Sequence, residues 1–416
     1  MLESYTIRGV VADALTAQKI KRKQFATEID MDPSFLSRVL NGEKMMPLPS
    51  LDKSIALLGL NPAECYTLYF TECWESKKKN PAIIEKYILH CIKNGYAEHA
   101  EHALNTLLEM GGYLNCVYAI GNALFQEDKK TESRKFFDAV INHEDDKKSS
   151  VLALSYYRKL MTYYHSDLDK SIETAISLWE HIDFIPEDEI LEAHYRVIGA
   201  YRLKYKWESV LQYGDKLVRL ARSMRKDDYM GDAFIKMALA ARELGNFPLA
   251  LEYHDECMKI QIGNYRIWGM GNKLITLITA GEIDKIQDLF DFCQSYKELS
   301  FEYLEFLLDA SVKNELYGIV ERIFRDFHDE IAYLESHKDE RSIYARHLIN
   351  FSYAKAIYFL KMGNNTGIDE ALRVAELAIN LRLHRQALQS VKLVFTYAEK
   401  TSTAYQRCLS LIDAIA

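Results

Sequence analysis

A chain of 416 residues exceeds what one simple hydrophobic core organises, so several domains or an extended repeat array are required. At 49% hydrophobic and 27% charged residues the composition excludes a disordered chain, and a formal charge of −8 sets most of its length apart from a DNA-binding domain. Only 7 prolines and 18 glycines occur, beside abundant Ala, Leu, Lys and Glu, so the expected fold class is all-α. No stretch is apolar for long enough to predict a membrane span. The first residues, MLESYTIRGVVADAL, place an acid where a signal peptide needs positive charge. Seven scattered cysteines without a CxxC pair predict neither disulfides nor a zinc site, and point to reduced thiols in a cytoplasmic protein.

In chain order, a helix is expected over Tyr5 to Lys19, with Ile7, Val10, Val11, Ala14 and Leu15 on one face. Lys19, Lys21, Arg22 and Lys23 follow as a cationic group, which either engages phosphates or is a solvated helix end. Residues 1–79 hold 11 Lys/Arg against 10 Asp/Glu, a net of +1 that leaves −9 for the rest of the chain. A second short helix starts at Arg22 or Lys23 and turns Phe25, Ala26 and Ile29 inward. Asp30-Met31 makes a turn, Asp32 caps a third helix, and Pro33 suits its first position. That helix buries Phe35, Leu36, Val39 and Leu40 and stops at Asn41-Gly42. A fourth is expected from Ser50, as cap, to Leu58.

The third helix presents Ser34, Ser37 and Arg38 on one face, residue types that reach base edges and phosphates from a major groove. Lys23, Gln24 and Lys44 can reach the phosphate backbone beside it. The order Gln24-Phe25-Ala26, then Ser34-x-x-Ser37-Arg38-Val39-Leu40-Asn41-Gly42, resembles the Xre/Cro-type helix-turn-helix over about residues 5–62, a five-helix unit. The resemblance adds Asn41 to the expected DNA-binding set. Two positions depart from that family's pattern: Asp30 stands where the turn usually has glycine, and Pro33 offers no side-chain donor.

Residues 63–80, with Trp74 and the Lys77-Lys78-Lys79 run, are expected as a helical linker. From residue 81 to 416 the chain repeats a unit of helix, short turn and helix. Its clearest copy, GDAFIKMALAARELGNFPLALEYHDECMKI, combines bulky Phe234, small Ala238, the turn Gly245-Asn246-Phe247, Ala250 and Cys257, and resembles a tetratricopeptide (TPR) repeat. Turns in register with it fall at Asn94-Gly95-Tyr96, Asp128-Lys129-Lys130, Asp167-Leu168, Tyr205-Lys206-Trp207, Gly281-Glu282-Ile283 and Gly363 to Ile368. A degenerate copy lies around Asn314 to Phe327, and Leu388 to Ile415 forms a cap. About eight or nine repeats at this spacing predict a right-handed α-solenoid. Its inner face would carry Asn115, Tyr118 and Asn122; Tyr156 and Tyr163; Glu192, Tyr195 and Arg202; Asp232 and Arg242; and Asn350 and Tyr353. Asparagine pairs with both groups of an extended backbone, tyrosine supplies stacking area, and charged residues pair with termini and side chains, so this wall suits a short peptide.

Other constellations carry less. His99 and His102 share a face with Glu98 and Glu101 but lack a third ligand, so a polar repeat surface is expected and no metal. His143-Glu144-Asp145-Asp146 reads as a solvated inter-repeat loop. GMGNK, Gly269 to Lys273, lacks the strand and spacing of a phosphate loop. No catalytic motif or cofactor site is expected.

An Xre-type head joined to a TPR array resembles the RRNPP group (Rap, Rgg, NprR, PlcR and PrgX), the peptide-pheromone receptors of Gram-positive bacteria. The resemblance implies a cytoplasmic homodimeric regulator that binds a palindromic operator in double-stranded DNA and a short imported signalling peptide. Two alternatives are a Rap-like response-regulator phosphatase or sequestering protein, and a TPR interaction scaffold.

Overall fold

The computed structural model describes residues 6–75, 81–164, 166–338, 343–381 and 383–415, and every regular element among them is helical. The chain divides into two compact units, Met1–Tyr205 and Lys206–Ala416.

The first unit begins with five helices: Ile7–Ala17 (α1), Arg22–Glu28 (α2), Pro33–Leu40 (α3), Leu48–Leu58 (α4) and Pro62–Glu75 (α5). The Thr6 hydroxyl caps α1, and Ile7, Val11 and Leu15 are its buried face. Asp32 caps α3 as expected, its Oδ1 accepting from the amides of Ser34 at 2.8 Å and Phe35 at 3.1 Å. The fourth helix differs from the expectation. It starts at Leu48 with Pro47 as cap residue, and Ser50 is buried inside it. Pro47 and Pro49 fit the first turn because the amides they lack have no partner there anyway.

Seven further α-helices, Pro81–Lys93 (α6), Ala97–Met110 (α7), Leu114–Gln126 (α8), Lys130–His143 (α9), Ser150–Tyr163 (α10), Leu168–Trp179 (α11) and Ile190–Leu203 (α12), and a 3-10 turn at Ile182–Phe184 complete the described part of this unit. One hydrophobic core runs without a break from Ile7 to Val140. Helix α5 is therefore no free-standing linker. Tyr66, Tyr69 and Phe70 are buried, and α5 packs on α1 on one side and on α6 and α7 on the other. Lys77, Lys78 and Lys79 lie outside the described residues.

The second unit holds Trp207–Ser223 (α13), Asp227–Glu243 (α14), Phe247–Met258 (α15), Tyr265–Thr279 (α16), Lys285–Ser295 (α17), Lys297–Ser300 (α18), Leu304–Lys313 (α19), Tyr317–Asp326 (α20), His328–Ser336 (α21), Ile343–Lys361 (α22), Thr366–Asn380 (α23), His384–Tyr397 (α24) and Thr403–Ile415 (α25). Consecutive helices from α13 to α17 and from α22 to α25 pack as neighbours, the pattern of a helical repeat array. The degenerate stretch around Asn314 departs from it. There α22 packs on α19, and the extra helix α21 lies between them in sequence. The final pair begins at His384, four residues before its expected start.

One turn closes most of the helix pairs. Gly95, Asp128, Gly245, Gly281, Glu315 and Gly363 all have positive φ, between 58° and 105°. In each case the next amide reaches back five residues: Tyr96 to Cys91 at 2.8 Å, Lys129 to Leu124 at 2.9 Å, Asn246 to Ala241 at 2.9 Å, Glu282 to Leu277 at 3.0 Å, Leu316 to Ser311 at 2.9 Å and Asn364 to Phe359 at 2.8 Å. This is the left-handed helix end that satisfies orphan carbonyls, and it favours glycine. All seven cysteines are buried as free thiols.

Candidate functional sites

In the first five helices, Lys23, Gln24, Ser34, Arg38, Asn41 and Lys44 are exposed and Ser37 is half-buried, while Phe25, Ala26, Leu36 and Val39 fill the core beneath them. The face expected to meet DNA is thus presented outward on α2, α3 and the loop after α3. Two of its members are already engaged. The Ser34 hydroxyl donates to Asp32 Oδ1, which leaves its lone pairs free to accept. Together with the two amides this hydroxyl holds the Asp32 carboxyl below its usual range. Arg38 Nε lies 3.4 Å from Glu43 Oε2 across the turn at Gly42. Asp30 takes φ 53° in the α2–α3 turn, the left-handed geometry for which glycine is the ordinary choice, and its carboxylate pairs with Lys53 of α4. Gly42 takes φ 77°, a left-handed geometry that strains any other residue, and a Cβ there would also push the Arg8 guanidinium aside.

Within the rest of the first unit, the side chains gather around Arg158 of α10. Its Nε donates to Asn122 Oδ1 at 3.0 Å, and its Nη2 lies 2.6 Å from Glu189 Oε2, with Tyr118 close enough to feel both charges. Beside it Arg196 pairs with Glu192 at 2.6 Å and stands over the rings of Tyr164 and Tyr195, each at 5.4 Å. The Arg202 Nε is buried without a hydrogen-bond partner among the described residues. Tyr118 and Asn122 therefore gather at Arg158 and Glu192 and Tyr195 at Arg196, while Asn115 stands exposed near the start of α8.

Tyr156 and Tyr163 do not join them. Tyr156 stacks on His181 at 5.3 Å, and Tyr163 is buried under Arg134 of α9 and Lys170 of α11. Both border a cleft of about 310 Å³ between α10 and α11 instead. The physical reason is register. Asn122 meets Arg158 across 36 residues, so the position facing the site on α10 is Arg158, two residues from Tyr156 and more than half a turn round the helix.

The second unit has its own polar group. Glu305 of α19 is buried, accepts from His347 Nδ1 at 3.0 Å through Oε1, and has no hydrogen-bond partner for Oε2 among the described residues. Burial works against a charged His347, but the bond to Glu305 and its charge outweigh it and the imidazole is shifted upward. Burial raises the nearby Glu302 carboxyl. Arg242 of α14 keeps only 9% of its side chain exposed, sits over the Phe306 ring at 5.6 Å, and touches Glu243 at 3.4 Å. Burial pushes its guanidinium down, and Glu243 and Glu305 act against that. Asp232 accepts from the Tyr265 hydroxyl at 3.1 Å. Asn350 is exposed on α22 and Tyr353 half-buried.

No protein-family model matches this chain, and no curated protein matches it in sequence. Solved structures do. Bacillus thuringiensis PlcR, in complex with the peptide PapR7 and DNA, is 13% identical with a TM-score of 0.26, covering 60% of this chain and 95% of that one. A Rap protein complexed with Competence and Sporulation Factor is 12% identical with a TM-score of 0.34, covering 97% and 99%. Selenomethionine phAimR is 10% identical with a TM-score of 0.38, covering 99% and 100%.

Three motifs set aside in the sequence have structural explanations. His99 is not a solvated repeat residue: its Nε2 donates to the Ala63 carbonyl at 2.8 Å, and its ring packs on Tyr66 and Tyr96, while His102 meets Phe70 edge-on. His143 closes α9 rather than opening a loop, with Nδ1 2.8 Å from the Ala139 carbonyl. GMGNK lies inside α16, where a Cβ on Gly269 would come 2.6 Å from Met258 and one on Gly271 2.5 Å from Tyr303, so its glycines serve close helix packing. Among the described residues no cluster of His, Cys, Asp and Glu could hold a metal ion, and no helix is long and apolar enough to cross a membrane.

Proposed function

We propose that this chain is a peptide-responsive, DNA-binding regulator of transcription, working as a homodimer in the cytoplasm. The observation that carries the reading is the outward polar face of α3, with Arg38, Ser37, Ser34 and Asn41, held on a head that shares one core with the repeat array behind it. A helix of that composition suits a major groove, with Arg38 pairing to a guanine edge and Lys23, Gln24 and Lys44 to phosphates. The half-buried charged and aromatic groups around Arg158, with Tyr118 and Asn122 beside it, are side chains of the kind that receives an extended peptide. Occupation there favours one arrangement of helices over another and so shifts the head between DNA-competent and incompetent states. No role in this scheme needs catalysis or a cofactor.

The test is retention of promoter fragments flanking the protein's own gene, measured by fluorescence anisotropy across a salt series. Arg38→Ala should weaken specific binding by about 1–3 kcal/mol and relax base preference at the contacted position. Lys23→Ala should weaken binding to all sequences alike and lower the salt slope by about 1. Identical affinity of wild type and Arg38→Ala for every fragment would sink the reading, and phosphate release from a phosphorylated response regulator would favour the phosphatase alternative.

A further inference from the structure

The loop between α3 and α4 lies across α6 and leaves a groove of about 530 Å³ that plays no part in the function proposed above. Met45 and Leu48 line it from the head, and Ile83 and Leu89 from α6. Its cationic lining comes from α6 alone, Lys86 and Lys93, with His90 between them. With Ile83 these follow a 3-4-3 spacing, so they form one stripe along the helix, roughly 15 Å long at 1.5 Å per residue. No acidic side chain lines the groove among the described residues, in a protein whose net charge is −8.

We propose that this groove binds a single-chain carboxylate amphiphile, a medium-chain fatty acid, with its alkyl chain on the apolar floor and its carboxylate at Lys86. The volume falls in the range of small-molecule sites, whereas a partner helix needs a far larger buried surface. Charge complementarity selects an anion. Lys93 already reaches Glu127 at 2.6 Å, while Lys86 is exposed and has no ion pair among the described residues. The site also borders the bonds that fasten the head. His90 Nε2 lies 2.9 Å from Asp52 Oδ2 and 3.0 Å from the Tyr66 hydroxyl, and the Tyr69 hydroxyl donates to the Met46 carbonyl at 2.9 Å. An occupant therefore touches both sides of the contact between the head and the first helix of the array, and would stabilise it.

Titration of the full-length protein with decanoate by calorimetry, below the micellar concentration and without DNA or peptide, tests this apart from the DNA-binding reading. Saturable binding is expected, about tenfold or more tighter than that of decyltrimethylammonium, which has the same chain and the opposite charge. Lys86→Glu should weaken decanoate by about tenfold with an unchanged thermal melt, and Lys86→Arg should retain it. Equal binding of the cationic amphiphile, wild-type affinity in Lys86→Glu, or no saturation at all would each overturn the proposal.

Discussion

His254 shows how a single proton couples to the fold. The Thr276 hydroxyl gives its hydrogen to the Asn272 carbonyl at 3.0 Å, so His254 Nε2–H must donate to Thr276 Oγ1 at 2.9 Å. Nδ1 is then an unprotonated, buried nitrogen with no hydrogen-bond partner among the described residues. Burial, aided by the Arg242 charge, pushes this imidazole down to about 4 from 6.5. The folded state thus binds fewer protons than the unfolded state between those values, and stability falls as pH drops through the window. The loss is on the order of 3 kcal/mol, and urea melts at pH 7 and 4.5 should show it shrinking in His254→Gln. An equal loss in wild type and variant would contradict the assignment. His347 has the opposite sign. Its upward shift contributes stability that is present below the unfolded value and lost as pH rises through the folded one, so His347→Gln should cost more at pH 6 than at pH 8.5. Neither histidine stands out in the sequence, because their behaviour depends on Thr276 and Glu305, which lie 22 and 42 residues away.

Helices and their turns were the most readable part of the chain. Gly95, Gly245, Gly281 and Gly363 announce left-handed helix ends by composition alone, and a buried set such as Phe25, Ala26 and Ile29 follows from helical spacing. The inner wall was less readable, since a two-residue error of register along α10 selects Tyr156 in place of Arg158. The contacts of Arg158 with Asn122 and Glu189 fix that register. Glu305 and His347 were missed because the extra helix α21 breaks the repeat spacing just before α22. The common turn gives a test of its own. Glu315 takes φ 58° in the position that Gly245 fills at φ 76°. Glu315→Gly should stabilise the protein by about 0.5–1 kcal/mol, and Gly245→Ala should destabilise it by about 1 kcal/mol, both measured by denaturant midpoint. The packing glycines are more sensitive: Gly271→Ala drives a Cβ into Tyr303 and should cost about 1–3 kcal/mol in the same measurement.

At the scale of the molecule, the head and the first repeats share one core, and cutting the chain in the expected linker would expose Tyr66, Tyr69 and Phe70. A fragment ending at Glu75 should therefore melt well below the full-length protein by circular dichroism, and a matching melting temperature would show that α5 does not need the array. The buried thiols have a consequence for handling and for measurement. Burial raises Cys65, Cys116 and Cys408 to about 11 and Cys73, Cys91, Cys257 and Cys293 to about 12, so none offers a thiolate or an accessible sulfur while its helices stay packed. Alkylation then becomes a clock for opening events: each cysteine is labelled only as fast as its own neighbourhood comes apart, and mass spectrometry of the seven sites would map which parts of the array breathe first.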